Sequence, residues 1–159
     1  MPGAGKSTNG LLLAKALGKD FLDTDVLIQV REDKTLQQIM DNTDHLILRQ
    51  IEASVLISID TQNSVIATGG SAVYSAAGMA HFSGNSIIVY LDTPLQILQE
   101  RIHDYETRGI ACHPDQSFDE LFTERTKLYR RYADITINCD QHSPEDVVGS
   151  IIKELDERK

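Results

Sequence analysis

Helical patterns alternating with short apolar strands predict an α/β fold built on a parallel sheet. Three observations carry that expectation. A glycine-rich phosphate-binding pattern opens a helix at residues 3–8, a short apolar run at 64–67 ends in Thr68-Gly69-Gly70, and Ile87-Ile88-Val89-Tyr90 runs into a helix-opening Thr93-Pro94. At 159 residues the chain has the size of a single domain, 1–159, with room for one sizeable core and no need of disulfides or metal to hold it.

Met1-Pro2-Gly3-Ala4-Gly5-Lys6-Ser7-Thr8 matches the C-terminal half of G-x-x-x-x-G-K-[ST], and the pattern's first glycine would fall just before Met1. Gly3 and Gly5 let the backbone fold tightly around a phosphate chain, so that N–H groups at the start of the next helix converge on negative charge. In this pattern Lys6 reaches the β- and γ-phosphates and the Ser7 hydroxyl ligates Mg²⁺.

The following elements are expected in order. A helix over 7–17 ends at Gly18, and Phe21-Leu22 is a short strand running into Asp23-Thr24-Asp25. Asp25 caps a helix through Val30, and residues 35–40 form a further short one. Across 43–60, Ile47, Ile51, Val55 and Ile59 recur every four residues as a helical stripe for the core. Residues 64–67 are a buried strand. Residues 86–91 are the clearest strand, apolar enough for burial on both faces. Thr93 caps a helix with Pro94 at its first position, running to about His103. Residues 105–116 have no apolar period, contain Gly109 and Pro114, and read as a mobile loop. Ser117-Phe118-Asp119-Glu120 is a capping box for a helix to about Tyr132, and Ile135-Thr136-Ile137 is the last strand. Ser143-Pro144-Glu145 opens a terminal helix whose buried stripe is Val147, Val148, Ile151, Ile152 and Leu155.

Composition narrows function. A net charge of -9 argues against a general nucleic-acid or anionic-membrane surface, so an acidic chain that binds a polyanionic nucleotide must concentrate its cations locally. Lys6, Arg49, Arg101, Arg108 and Arg125 are the candidates. No apolar run approaches a membrane span and no signal peptide is evident, which makes the cytoplasm the default expectation. Cys112 and Cys139 have no metal-ligand spacing and read as free thiols.

Asp23 and Asp25 stand two apart at a strand end, where one carboxylate can serve Mg²⁺ and the other orient a substrate hydroxyl. Thr68-Gly69-Gly70 follows a buried strand at the edge where open α/β sheets bind ligands. Arg49 and Glu52 share a helical face and, on spacing alone, read as a surface ion pair.

Taken in order, Gly3-Ala4-Gly5-Lys6-Ser7-Thr8, Phe21-Leu22-Asp23-Thr24-Asp25, Leu48-Arg49-Gln50-Ile51-Glu52, Thr68-Gly69-Gly70, Arg101 with Arg108, and Arg125 to Tyr129 with Ala133-Asp134 resemble the shikimate kinase family over nearly the whole chain. The resemblance implies a three-layer P-loop kinase fold whose parallel sheet has five strands in the order 2-3-1-4-5, the first strand being missing here and expected upstream of Met1. It also implies a substrate-binding helical region over 26–59 and a lid over 104–118. The implied activity is ATP-dependent phosphorylation of shikimate to shikimate 3-phosphate, in aromatic amino-acid biosynthesis, by a monomer using Mg²⁺. By the same resemblance Gly3, Ala4, Gly5, Lys6, Ser7 and Thr8 hold ATP, Ser7 and Asp23 serve the metal, and Arg101 contacts the nucleotide. The turn carrying His142 borders adenine. Asp25 draws the proton from the acceptor hydroxyl, Arg108 stabilises the transferring phosphoryl group, and Arg49 and Arg125 grip the substrate carboxylate beside Gly69 and Gly70.

The chain departs from the family at Ser71, in place of a third glycine, and at Gly109-Ile110, where proline and leucine are usual. Two other readings therefore stay open at this point. One is a kinase for another small polyol acid such as gluconate; the other is a nucleotide-binding protein without activity.

Overall fold

The computed structural model describes residues 1–102, 109–140 and 142–158. Its elements run α1 (Lys6–Leu17), β1 (Asp20–Asp23), α2 (Thr24–Glu32), α3 (Leu36–Asn42), α4 (His45–Ser58), β2 (Ser64–Ala67), a 3-10 turn (Ala72–Tyr74), and α5 (Ala76–Ser83). They continue with β3 (Val89–Asp92), α6 (Leu95–Arg101), α7 (Phe118–Tyr132), β4 (Ile135–Asn138) and α8 (Pro144–Asp156). The α/β class with parallel strands is the one expected.

The strands form two parallel pairs. Asp20 stands opposite Ser64 and Asp23 opposite Ala67 in the first, and Val89 opposite Ile135 and Asp92 opposite Asn138 in the second. Parallel partners need a crossover of a dozen residues or more, supplied by α2 to α4 in one pair and by α6 and α7 in the other. Among the described residues no ladder joins β2 to β3.

Two apolar clusters hold these units. The larger gathers Leu13 of α1, Leu91, Leu98, Leu121, Ile135 and the α8 stripe of Val147, Val148 and Ile151. Ile152 and Leu155 pack at its margin, so the terminal helix buries the face that its periodicity indicated. The smaller joins Ile28 of α2, Ile39 of α3, and Leu48 and Val55 of α4 to Ala111, which arrives from a distant segment.

Several local expectations change. Asp23, rather than Asp25, caps α2: its Oδ1 accepts from the Asp25 and Val26 N–H groups at 2.9 and 3.4 Å. The strand stops at Asp23, so the two carboxylates do not project from one continued strand. On α4 the buried face is Leu48, Glu52, Val55 and Leu56, while Ile47 is exposed. A strict four-residue step drifts around a 3.6-residue helix, which is why that stripe fails at its start. β3 is shorter than expected, and Ile87 is exposed; Ile88 instead donates to Asp134 Oδ2 at 2.8 Å. Pro94 takes the N-cap position of α6, and Thr93 is buried. The Ser117–Glu120 capping box forms as read, and the helix expected to open at Ser143-Pro144-Glu145 does so with a second box, Ser143 with Asp146, that the reading had not named.

The lid expectation falls partly outside the described residues, which omit 103–108 and with them Arg108. In the described part of that segment, Gly109 donates its N–H to Gln37 Oε1 at 2.6 Å and Ala111 is buried in the smaller cluster. Absence of an apolar period says nothing about a segment buried through its backbone. Among the described residues no helix is long and apolar enough to cross a membrane.

Candidate active site

The phosphate loop has the backbone its glycines were expected to give. Gly3 and Gly5 have φ of +74° and +81°, in the left-handed region that side chains disfavour. Gly5 opens α1 with no side-chain cap, so the first-turn N–H groups lack a side-chain acceptor and remain available to an anion. Lys6 Nζ donates to the Met1 carbonyl at 2.8 Å. Burial and then Arg125 lower the Lys6 pKa, against an opposing pull from Asp25. Ser7 and Thr8 are exposed and line the same cavity as Lys6, whereas Ala4 is buried in the core. Arg101 joins the loop through a 3.4 Å bond to the Gly3 carbonyl. His142 is exposed and lies outside the cavity lining.

The cavity, about 480 Å³, continues from the loop to Asp25, Glu52, Gly69, Gly70, Ser71 and Arg125. Asp25 sits in the first turn of α2, and burial raises its pKa while nearby Lys6 lowers it. A carboxylate that holds its proton more strongly is a better proton acceptor for a hydroxyl. Asp23, spent on the α2 cap, does not line the cavity.

Glu52 is the carboxylate that spacing misassigned. It is only 6% exposed, its Oε2 has no hydrogen-bond partner among the described residues, and burial pushes its pKa up to about 7 even though Ser71 and the neighbouring arginines favour the charged form. A surface ion pair with Arg49 is therefore not what α4 carries.

The glycines after β2 are dictated by these neighbours. A Cβ on Gly69 would collide with Glu52 Oε1 and come within 2.7 Å of Asp25 Oδ1. One on Gly70 would meet Arg125 at 2.9 Å. Two further bonds pin this segment: Gly69 N–H donates to Thr24 Oγ1 at 3.0 Å, and the Tyr129 hydroxyl donates to the Gly70 carbonyl at 2.7 Å. Thr24 and Tyr129 lie inside recognised motifs, but nothing in their spacing revealed these bonds.

Arg125 is 1% exposed, the largest fully buried side chain of the described residues. Its NH2 donates to the Ala111 carbonyl at 2.8 Å, and Arg49 NH2 donates to the same oxygen at 3.1 Å. Among the described residues neither guanidinium meets a carboxylate within ion-pair distance, and both Nε atoms are buried without a partner. One fully buried and one half-buried guanidinium therefore converge on a single neutral oxygen, with N–H donors left over. Arg49 itself lines a neighbouring, more open cleft with His45, His113 and Glu124, so it borders the main cavity rather than facing into it.

The shikimate kinase family model matches residues 2–156. The chain is 34% identical over 153 residues to a shikimate kinase of Methylococcus capsulatus, covering 94% of this chain and 86% of that one. It is 33% identical over 159 residues to the Vibrio parahaemolyticus shikimate kinase, covering 98% and 92%. Among solved structures, shikimate kinase from Acinetobacter baumannii in complex with shikimate superposes with a TM-score of 0.89 at 31% identity over 99% of this chain and 89% of that one. The Aquifex aeolicus enzyme gives 0.82 at 30% identity, over 99% and 93%. A phosphate loop, two carboxylates and a buried arginine around one cavity thus occur in a chain whose sequence and fold match the same enzymes over nearly its whole length: it belongs to the shikimate kinase family.

Proposed function

We propose that the chain transfers the γ-phosphoryl group of ATP to the 3-hydroxyl of shikimate, giving ADP and shikimate 3-phosphate. The observation that carries this reading is the single cavity lined by Lys6 and Ser7 at one end and by Asp25, Glu52, Gly69 and Arg125 at the other. Lys6 leaves the Met1 carbonyl for the β- and γ-phosphates, alongside the first-turn N–H groups of α1. Arg125 and Arg49 turn from the Ala111 carbonyl to the acceptor's carboxylate, which the planar guanidinium matches in two parallel bonds. Asp25 takes the hydroxyl proton as the oxygen bonds to the γ-phosphorus; the bond to the β–γ bridging oxygen breaks, and ADP departs with that electron pair. Arg108 adds positive charge at the transferring group, and Arg101 and the turn with His142 border the nucleotide.

Mg²⁺ fits the residues present. The exposed Ser7 hydroxyl lines the cavity beside Lys6 and is an oxygen donor of the kind Mg²⁺ takes together with substrate phosphates and water. Ser7 would hold it directly. Asp23, with Oδ1 engaged in the α2 cap, would act through its other oxygen by way of water. The bound ion neutralises charge on the phosphates.

The helical region 26–59 and the segment 104–118 are read as acceptor-binding module and lid of one domain. The pairs β1–β2 and β3–β4 are read as the two flanks of the three-layer arrangement, order 2-3-1-4-5.

Coupled ADP release over a panel containing shikimate, gluconate and other hydroxy acids, with the product mass identified, tests the reading. Turnover with shikimate and a phosphorylated product is expected. Turnover with gluconate or another acid but none with shikimate would replace the acceptor, and ATP binding without turnover on any acid would remove the activity.

A further inference from the structure

Tyr74 stands beyond the glycine run, at the end of the 3-10 turn, and no step above uses it. Its ring lies under the charge of Arg49, whose Cζ is 3.6 Å from the ring centroid, and Arg125 Cζ is 5.4 Å from the same centroid. The Tyr74 hydroxyl donates to Glu124 Oε1 at 2.6 Å, and Glu124 Oε2 accepts from Gln116 Nε2 at 2.6 Å. Burial and the Glu124 contact keep the phenol protonated, and the same bond holds the Glu124 carboxyl below its usual range, so the proton sits on tyrosine.

We propose that Tyr74 is a positioning residue for the acceptor site: its ring is the platform that aims Arg49, and with it the anion pair, at the acceptor's carboxylate. Arg49 needs such a support. Among the described residues its only hydrogen bond is to Ala111, its Nε has no partner, and no carboxylate fixes it. A carboxylate in that place would orient the guanidinium but would also occupy its donors and cancel its charge. An aromatic face attracts the cation through its quadrupole and accepts none of the in-plane N–H bonds, leaving them for the incoming anion. Glu124 then has a defined task, since the bond from the phenol locks the ring from α7, the helix that also carries Arg125. The platform thereby ties both arginines to one frame.

The kinetic part of the test rests on the acceptor assigned above, so a second readout is independent of any acceptor. In the full chain labelled with ¹⁵N-arginine, the Arg49 Nε–H resonance, assigned through Arg49→Lys, is expected to be shifted by the ring current of Tyr74. Tyr74→Phe should retain that shift and Tyr74→Leu should abolish it. In the coupled assay Tyr74→Leu should raise KM for shikimate about tenfold, the upper part of what a cation–π contact supplies, with KM for ATP and kcat within about twofold. Tyr74→Phe should restore most of the loss. An Arg49 signal unchanged in Tyr74→Leu, or equal rises in KM for shikimate and ATP, would overturn the proposal. If the wild type turns over a different acid, the acceptor assignment fails while the resonance test and the KM comparison on that acid still decide the role of Tyr74.

Discussion

The phosphate loop is a run of consecutive residues, 3–8, whose chemistry lies in backbone N–H groups, whereas the acceptor end draws Asp25 from α2, Glu52 from α4, Gly69 from the end of β2 and Arg125 from α7. Ser7 and Thr8 are open to solvent; Glu52 and Arg125 are buried. A phosphate chain is long, multiply charged and always the same, so one local turn and a helix terminus suffice to hold it. A small hydroxy acid offers one carboxylate and a few hydroxyls. Its recognition needs separate groups converging from several elements in a site that excludes water.

Asp25→Asn should have the largest effect, lowering kcat by about 10²–10⁴ with little change in KM for ATP, as measured by coupled ADP release at saturating substrates. A kcat within threefold of wild type would detach Asp25 from proton transfer and leave the acceptor end without a base. Glu52 separates the two ends by stability. Its pKa of about 7 in the fold exceeds the ordinary value of 4.5, so its contribution is most favourable below pH 4.5 and weakens as pH rises to 7. Ionising it in place costs about 3 kcal/mol by pH 7.5, so Glu52→Gln should gain stability relative to wild type as pH rises from 4.5 to 7.5. Denaturant unfolding at the two pH values measures this, and a constant difference would mean that the Glu52 pKa is not raised in the fold.

Gly69→Ala forces a methyl against Glu52 and Asp25 and should raise KM for the acceptor about tenfold. Gly18→Ala is the control, since its Cβ meets nothing within 4 Å while its φ of +62° is strained. That change should lower stability by about 1 kcal/mol and leave both KM values alone. If Gly69→Ala behaved like Gly18→Ala, the crowding at Gly69 would not concern the acceptor. Ser117→Ala, the smallest change, removes the cap of the helix carrying Arg125 and should cost about 1 kcal/mol in thermal or denaturant unfolding. A raised acceptor KM in that variant would show that the arginine pair depends on the end of α7 as well as on its packing.

Elements with a local signature were legible in the sequence: the end of α1 at Gly18, the capping box of α7, the start of α8 at Ser143-Pro144, and β2 at residues 64–67. The phosphate loop was legible for the same reason, since its function is a local backbone shape. Family resemblance supplied Arg49 and Arg125, but spacing alone read Arg49 with Glu52 as a surface pair. What reverses that reading is the burial of one face of α4, which depends on α2, α3 and Ala111 closing over it. Nor did any local feature distinguish Tyr74 from the other four tyrosines.

From the sequence alone came the α/β class, the glycine turn that opens α1, the paired aspartates near it and the net charge of -9, because each follows from neighbouring residues or from total charge. Tertiary structure alone decided that Asp23 is spent as a cap while Asp25 faces the cavity, that Glu52 is buried with a raised pKa, and that two arginines 76 positions apart share the Ala111 carbonyl. Burial and hydrogen-bond partners come from residues far apart in the chain, and it is the fold that sets which of them meet.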